Sequence, residues 1–503
     1  MVASADRLYN AEQVRRLDAS AIEAHGIPGI ELMERAGRSA FEAARRAFPQ
    51  ARRWQIFCGG GNNAGDGYII ARLAQEAGLS AQVCALRPPD HLSGDAAVAA
   101  QRWLQADGAT QPLPPDPSDR FDLVIDALLG TGLDRAPEGD YATAIDWINK
   151  AGLPVLAVDI PSGLDADTGV VRGRAVRARA TVTFIGNKRG LYTADGPDYA
   201  GAITFSDLET PETVRDAVPD SGILLHEKII RQSLRRRHRN SHKGSFGWVL
   251  GIGGNSSMSG AVRLCGEAGL RAGAGKVTLA TIPDHAALVN LTCPELMVRG
   301  VRRGKELKTL LRQVDVSVIG TGLGQTSWSE DLFKTCMRTE VPIVLDADGL
   351  NILARLYPEM GRAGDLPRGN WVLTPHPAEA GRLLGCPARE VQQDRIAAAL
   401  AVAERFDATV ILKGCGTVVA ERSGRYAICP LGNPGMATAG TGDVLAGVVG
   451  ALVAQHLDLW TAAAAAVVAH ALAGDLAARE IGERGMIASD ITARLPRVLN
   501  PDH

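Results

Sequence analysis

The chain has 503 residues, 46% of them hydrophobic and 22% charged, with a formal net charge of −2. That length exceeds one ordinary hydrophobic core and that composition excludes a disordered chain, so two or more globular domains are expected. The near-neutral balance gives no global attraction to nucleic acid or an anionic membrane, and neither is expected as a partner.

Residues 11–47 carry helical periodicity, with Met33, Ala36, Ala40, Phe41 and Ala44 on one face, and Gly26-Ile27-Pro28-Gly29 divides the run into two helices. A strand-like run from Trp54 to Cys58 enters a glycine-rich segment, and a helix is expected from about Tyr68. Further apolar runs end in turns at 81–86, 123–127, 155–160 and 180–185, separated mostly by helical segments. This is the alternation of a parallel sheet. Between 209 and 245 lie turn-like clusters and a basic run with Arg231, Arg235, Arg236, Arg237, Arg239 and Lys243. Without interleaved aromatics, the run reads as a solvated interdomain segment. A second alternation places strands at 246–252, 276–280, 314–319, 343–345, 371–373 and 409–412.

Two Ala-rich helices close the chain. The run from Thr461 to Ala478 holds His470, Asp475 and small side chains, and reads as a buried helix, not a membrane span. Eight cysteines (Cys58, Cys84, Cys265, Cys293, Cys336, Cys386, Cys415 and Cys429) form no C-x-x-C pair, which suits buried thiols in a reducing compartment. With no signal pattern at the start, a cytoplasmic location is expected.

The sharpest chemical signal is Gly440-Thr441-Gly442-Asp443, directly before the apolar helical run Val444 to Val453. Glycines there let backbone N–H groups approach an anion, and the helix N-terminus adds partial positive charge. An aspartate beside such a hole makes sense as a base that takes a hydroxyl proton as a phosphoryl group arrives. The plainer reading is an N-cap aspartate after a glycine turn. Lys413 to Thr417, 374–379, 320–324 and 346–351 also follow strand ends, where an α/β sheet puts its ligands. Taken alone, His376 reads better as a structural histidine, and its place at a strand end beside Pro377 weighs against that reading.

The stretch from about 240 to 495 resembles the ribokinase-like superfamily, specifically the ADP/ATP-dependent NAD(P)H-hydrate dehydratase family. The resemblance rests on Gly253-Gly254 with Ser259-Gly260-Ala261, the 320–324 loop, Thr374 to Glu379, and Asn433-Pro434-Gly435-Met436-Ala437 leading into Gly440–Asp443. It implies that Lys413, Gly414, Cys415, Gly416, Thr417 and Gly442 contact the adenine nucleotide, with Mg2+ as its companion. Ala261, Gly324, His376 and Asp443 would face a hydrated nicotinamide nucleotide. The implied reaction phosphorylates the ring hydroxyl and then eliminates phosphate, with Asp443 as catalytic residue.

In the first half, Gly59 to Gly67 misses the G-x-G-x-x-G spacing and reads better as an anion loop with added side-chain oxygens. Asp126 and Asp159 each stand at the end of a strand-like run with a glycine turn after it. Such groups bind a hard cation or do acid/base work, or they simply cap helices. The stretch from about 8 to 215, with Tyr9 to Val14 and Gly26 to Glu34 included, resembles the NAD(P)H-hydrate epimerase family. That implies substrate binding by Asn62, Asn63, Ala64, Gly65, Asp66, by Gly130, Thr131, Gly132, Leu133, Asp134, Arg135 and Ala136, and by Asp159, which is also assigned to catalysis. It implies potassium on Asn63, Asp126 and Ser162. Ala64 replaces a glycine usual in that family, and a position with positive φ would be strained by it.

The expected fold is α/β in two domains, a Rossmann-like three-layer sandwich over 1–220 and a ribokinase-like three-layer sandwich over 225–503. The expected activity is epimerisation of the R and S forms of hydrated NADH and NADPH, with ADP- or ATP-driven dehydration of the S form. The partners are those small molecules, and a homo-oligomer is expected. Two rival readings are a vitamin-precursor kinase of the same superfamily and a dehydratase with a catalytically silent N-terminal domain.

Overall fold

Short runs rich in Val, Ile and Leu and bounded by turns suit strands covered on both faces. The computed structural model describes residues 4–115, 120–360 and 369–500, so the extreme ends of the two expected domains lie outside the described residues. The chain divides into two compact units, Met1–Ile223 and Leu224–His503. Each is built on a parallel sheet with helices between most successive strands.

In the first unit the strand order is Thr110–Gln111, Ser80–Ala85, Arg53–Cys58, Leu123–Ala127, Val155–Val158, Ala180–Phe184 and Ala202–Ser206. Every neighbouring pair is parallel. The chain starts this sheet at Arg53–Cys58, runs out to one edge, then returns to Leu123–Ala127 on the other side. That reversal leaves a crevice between the C-terminal ends of those two strands, where doubly wound sheets take ligands. Gly59 sits at this junction: a Cβ there would lie 2.0 Å from the Leu128 carbonyl oxygen. The helix Gly29–Ala47 covers the sheet with Leu32, Met33, Ala36, Gly37, Ala40, Ala43 and Ala44, the face that the 3.6-residue period marks out.

The second unit repeats the plan. Its parallel strands run in the order Met297–Gly300, Lys276–Thr281, Trp248–Ile252, Val316–Ile319, Ile343–Leu345, Trp371–Leu373 and Thr409–Leu412. Two antiparallel strands, Thr417–Ala420 and Tyr426–Cys429, extend it. The reversal now falls between Trp248–Ile252 and Val316–Ile319, and Gly253 repeats the role of Gly59. A Cβ at Gly253 would lie 1.9 Å from the Thr321 carbonyl oxygen.

Leu459–Ile481 is long and apolar enough to cross a membrane by length and composition, yet 72% of its most apolar stretch is buried within the protein. Small side chains let it pack closely: a Cβ on Gly474 would meet Met436 at 2.5 Å. Five cysteines are buried (Cys58, Cys84, Cys265, Cys336 and Cys429), none of the eight forms a disulfide, and Cys415 is exposed.

Candidate active sites

Only Gly59 to Gly61 of the glycine-rich segment form a loop. A helix over Asn62–Glu76 begins at Asn62, six residues before the expected Tyr68, with Gly61 as its N-cap. The polar residues that looked like loop composition form its first turns, where unpaired backbone N–H groups make Asn and Asp favourable. Ala64 is helical and fully buried, outside the positive-φ residues, so its methyl group strains nothing.

Asn63 turns inward, and both its side-chain oxygen and nitrogen are buried without a hydrogen-bond partner. A Cβ on Gly130 would lie 3.4 Å from an Asp159 carboxylate oxygen and 3.7 Å from Asn63 Cβ and Cγ. The structure therefore brings Asn63, Gly130 and Asp159 together around a space that a glycine keeps open. Gly132, Asp134, Arg135 and Ala136 are exposed in the turn beyond, whereas Thr131 and Leu133 are half-buried.

Asp126 lies at the base of the same strand end, fully buried. Its Oδ1 accepts from Ser162 Oγ at 2.6 Å and its Oδ2 from the Ser162 backbone N–H at 2.8 Å. Burial pushes its carboxyl up to about 6, partly offset by these Ser162 bonds and by the Leu128 N–H. Ser162 Oγ also accepts from the Leu129 N–H at 2.9 Å, which ties the two turns to each other.

Asp159 has φ of 69°, a left-handed conformation that costs energy and is tolerated best by Asp, Asn and Gly. Its Oδ1 forms an ion pair with Lys188, whose ammonium is 1% exposed and also donates to the Phe184 carbonyl at 2.9 Å. Neither Lys188 nor its neighbour Asp18 stood out in the sequence. Burial pushes Asp18 up to about 6, against the pull of Lys188, and Asp159 adds to the rise. Burial also holds Asp66 well above the usual carboxylate range, reinforced by Asp159 and Asp18.

In the second unit Gly440 is a left-handed N-cap, with φ of 91°, and the helix starts at Thr441, ahead of the apolar run that marked it in sequence. Asp443 therefore lies in the first helical turn and is not the N-cap. Thr441 Oγ1 closes the turn by donating to the Met436 and Thr438 carbonyls, at 3.1 and 3.0 Å. Burial and then repulsion from Asp346 push Asp443 up to about 7, with Lys413 opposing.

Lys413 donates to Asp346 Oδ1 at 2.6 Å and lies 3.8 Å from Glu379. A Cβ on Gly442 would approach its ammonium to 3.3 Å, so Lys413 and the Gly440–Asp443 turn face one another. Behind Lys413, Arg395 is buried and donates to the Leu412 and Lys413 carbonyls at 3.2 Å each, holding the strand end. Arg395, and the part that Asp346 and Glu379 play, were not singled out from sequence.

His376 is both a capping residue and a site residue. Its Nδ1 accepts from the Ala378 N–H at 3.1 Å, and its Nε2 lies 3.3 Å from Glu379 Oε1. That pattern fixes the neutral tautomer with the proton on Nε2, and burial with nearby Lys413 and Arg382 lowers its pKa. Gly324 donates to Asp348 Oδ2 at 2.8 Å, and a Cβ on Gly322 would meet that of Ala261 at 3.0 Å. Those contacts put the 320–324 loop against the start of the helix that carries Ala261. Of the nucleotide-loop residues, Gly414 has φ of 133° and packs on the Arg395 guanidinium, while Cys415 is exposed.

Two doubly wound α/β units, each with ionisable groups gathered beyond the C-terminal ends of its parallel strands, define an enzyme with two chemically distinct centres. The family profile described as NAD(P)H-hydrate dehydratase matches residues 249–497, and that described as YjeF-related protein N-terminus matches residues 29–190. A bifunctional NAD(P)H-hydrate repair enzyme of Coxiella burnetii is 44% identical, over 98% of this chain and 99% of its own. One of Escherichia coli is 40% identical, over 98% of this chain and 94% of its own. The crystal structure of a ribokinase-like superfamily protein from Enterococcus faecalis is 28% identical with a TM-score of 0.50, covering 55% of this chain and 95% of that one. The chain belongs to the family of bifunctional NAD(P)H-hydrate repair enzymes, with an epimerase-type N-terminal unit and a ribokinase-like dehydratase unit.

Proposed function

We propose that the two centres act in sequence on hydrated NADH and NADPH, with Asp159 as acid/base of the epimerase and Asp443 as base of the dehydratase. Hydration of the dihydronicotinamide ring places a hydroxyl on the carbon next to the ring nitrogen, giving R and S forms. The substrate lies against Asn62, Asn63, Ala64, Gly65 and Asp66 and the turn from Gly130 to Ala136. Asp159 removes the hydroxyl proton as the carbon–nitrogen bond breaks, leaving an aldehyde and a nitrogen conjugated with the carboxamide. Reclosure on the other face of the carbonyl, with return of the proton, gives the second epimer.

In the C-terminal unit Ala261, Gly324, His376 and Asp443 hold the S form, and Lys413, Gly414, Cys415, Gly416, Thr417 and Gly442 hold ADP or ATP. Asp443 takes the hydroxyl proton as that oxygen bonds to the terminal phosphorus and the bond to the departing nucleotide breaks. Phosphate then leaves with the carbon–oxygen electron pair, and loss of a proton from the adjacent carbon restores the double bond. Phosphate leaves far more readily than hydroxide, which is why a nucleotide is consumed. The observation that carries this reading is the Asp443 carboxyl, held near neutrality beside Lys413, as a general base requires.

Asn63, Asp126 and Ser162 fit a potassium ion: they are buried, offer oxygen, bring one formal negative charge, and leave the Asn63 amide without a partner. Such an ion would supply fixed positive charge for the substrate phosphate. Among the described residues no cluster of three or more His, Cys, Asp or Glu could hold a metal. The residues thus fit Mg2+ only as a companion of the nucleotide phosphates, which it commonly is. We place the enzyme in the cytoplasm as a homo-oligomer, a state that light scattering reads directly. The test of the two-centre reading is a crossed pair of variants. Asp443→Asn should stop dehydration and leave epimer exchange intact, and Asp159→Ala should do the reverse; loss of both activities in either variant would contradict it.

A further inference from the structure

Four ionisable groups meet at the epimerase crevice, and two of them come from outside the glycine-rich motifs. Lys188 follows the strand Ala180–Phe184, and its backbone pairs in parallel with Tyr9 in the N-terminal strand Arg7–Tyr9. The neighbouring Asn187 is fixed as well, by its bond to the Ala5 carbonyl and by the Tyr192 hydroxyl at 2.8 Å. The helix Ala11–Ala19 then brings Asp18 within electrostatic reach of Lys188 and Asp159.

A lysine this deeply buried is costly unless its charge is matched and its protons are used. Lys188 spends two donors, one on Asp159 Oδ1 and one on the Phe184 carbonyl. The other Asp159 oxygen, Oδ2, is the one that faces Gly130 and Asn63. The lysine thus fixes one carboxylate oxygen from behind and leaves its twin aimed into the crevice. It does so for a residue whose left-handed backbone already limits where the side chain can go.

We propose that Lys188 is a positioning residue for Asp159, and that residues 5–18 complete the epimerase centre by locking the segment that carries it. The inference rests on the assignment of Asp159 as the epimerase acid/base. Lys188 orients the working oxygen by holding its twin in an ion pair. It does not itself bind substrate.

The test uses the full-length protein with Lys188→Met, Lys188→Arg, Asp159→Asn and the double variant Lys188→Met/Asp159→Asn. Epimer interconversion is followed by chromatography and corrected for the spontaneous rate, and dehydratase turnover and circular dichroism report that the chain is folded. Lys188→Met should lower kcat on the order of 10²-fold with KM changed less than about threefold, since orientation of an acid/base acts on the chemical step. Lys188→Arg, which keeps the charge, should recover part of that loss. The double variant should be no slower than Asp159→Asn alone, because the lysine acts only through the aspartate. A kcat near wild type in Lys188→Met, a loss confined to KM, or losses that multiply in the double variant would each overturn the proposal while leaving Asp159 in its role. Wild-type exchange in Asp159→Asn would instead remove the role of Asp159, and the positioning role with it.

Discussion

An active-site carboxylate held near neutrality leaves a mark on stability as well as on rate. Burial and the neighbouring Asp346 raise Asp443 to about 7. Holding its ionised form in place costs about 4 kcal/mol, from ~1.4 kcal/mol per pH unit between the ordinary carboxylate value near 4 and about 7. The side chain is partly exposed, so solvent screening reduces that to about 2 kcal/mol. The sign follows from the raised folded value. The stabilisation is complete below the ordinary value near 4 and is lost as pH rises through about 7. Asn has nearly the same shape and no charge, so Asp443→Asn escapes the loss. Roughly a third of it has already occurred at pH 5, which leaves about 1–1.5 kcal/mol to appear between pH 5 and pH 8. At about 2 °C per kcal/mol for a domain of this size, the Tm of Asp443→Asn relative to wild type should rise by about 2–3 °C over that interval. Thermal unfolding of the full chain without nucleotide, at pH 5, 6, 7 and 8, reads this directly. A Tm difference that is flat or falls with rising pH would refute the argument that the site holds this carboxylate against its own ionisation.

The same residue sets the rate: dehydration should rise as pH passes through about 7 and fall on the order of 10²-fold or more in Asp443→Asn, as followed by NADH absorbance. In the N-terminal unit, Asp126→Ala should weaken potassium dependence and substrate binding together, whereas Asp159→Ala should mainly remove turnover. Epimer exchange measured with and without potassium separates the two. Fragments 1–220 and 225–503 should each give a cooperative melt, since each sheet series has its own core. Gly253→Ala should destabilise by about 2 kcal/mol or more in chemical denaturation, because its Cβ would lie 1.9 Å from the Thr321 carbonyl oxygen.

What the sequence reveals and what it hides divide along physical lines. Strands such as Leu123–Ala127 and Thr409–Leu412 are legible because, Asp126 and Thr409 apart, their residues are apolar or small and a turn follows. Gly440 to Asp443 is legible because glycines and a lone carboxylate before an apolar helix have few structural uses. The start at Asn62 is hidden, since a helix whose first turns contain Asn, Gly and Asp looks like a loop until its N-terminal donors are considered. The three-residue strand Arg7–Tyr9 is too short to show a period. Lys188 carries no local signal: it sits in a two-residue strand, Asn187–Lys188, 29 residues from Asp159, and only the pairing of adjacent strands brings the two together. Arg395 is concealed for a similar reason, as one arginine at the start of an amphipathic helix whose burial depends on the strand end it supports.

The most direct test is recovery of NADH absorbance when a mixture of both epimers of hydrated NADH is incubated with the protein, Mg2+ and either ADP or ATP. Two working centres should convert the whole mixture, with one nucleotide consumed per NADH formed, and omission of nucleotide should stop recovery. A stable phosphorylated product with no gain in absorbance, or recovery that halts once the S form is exhausted, would contradict the account.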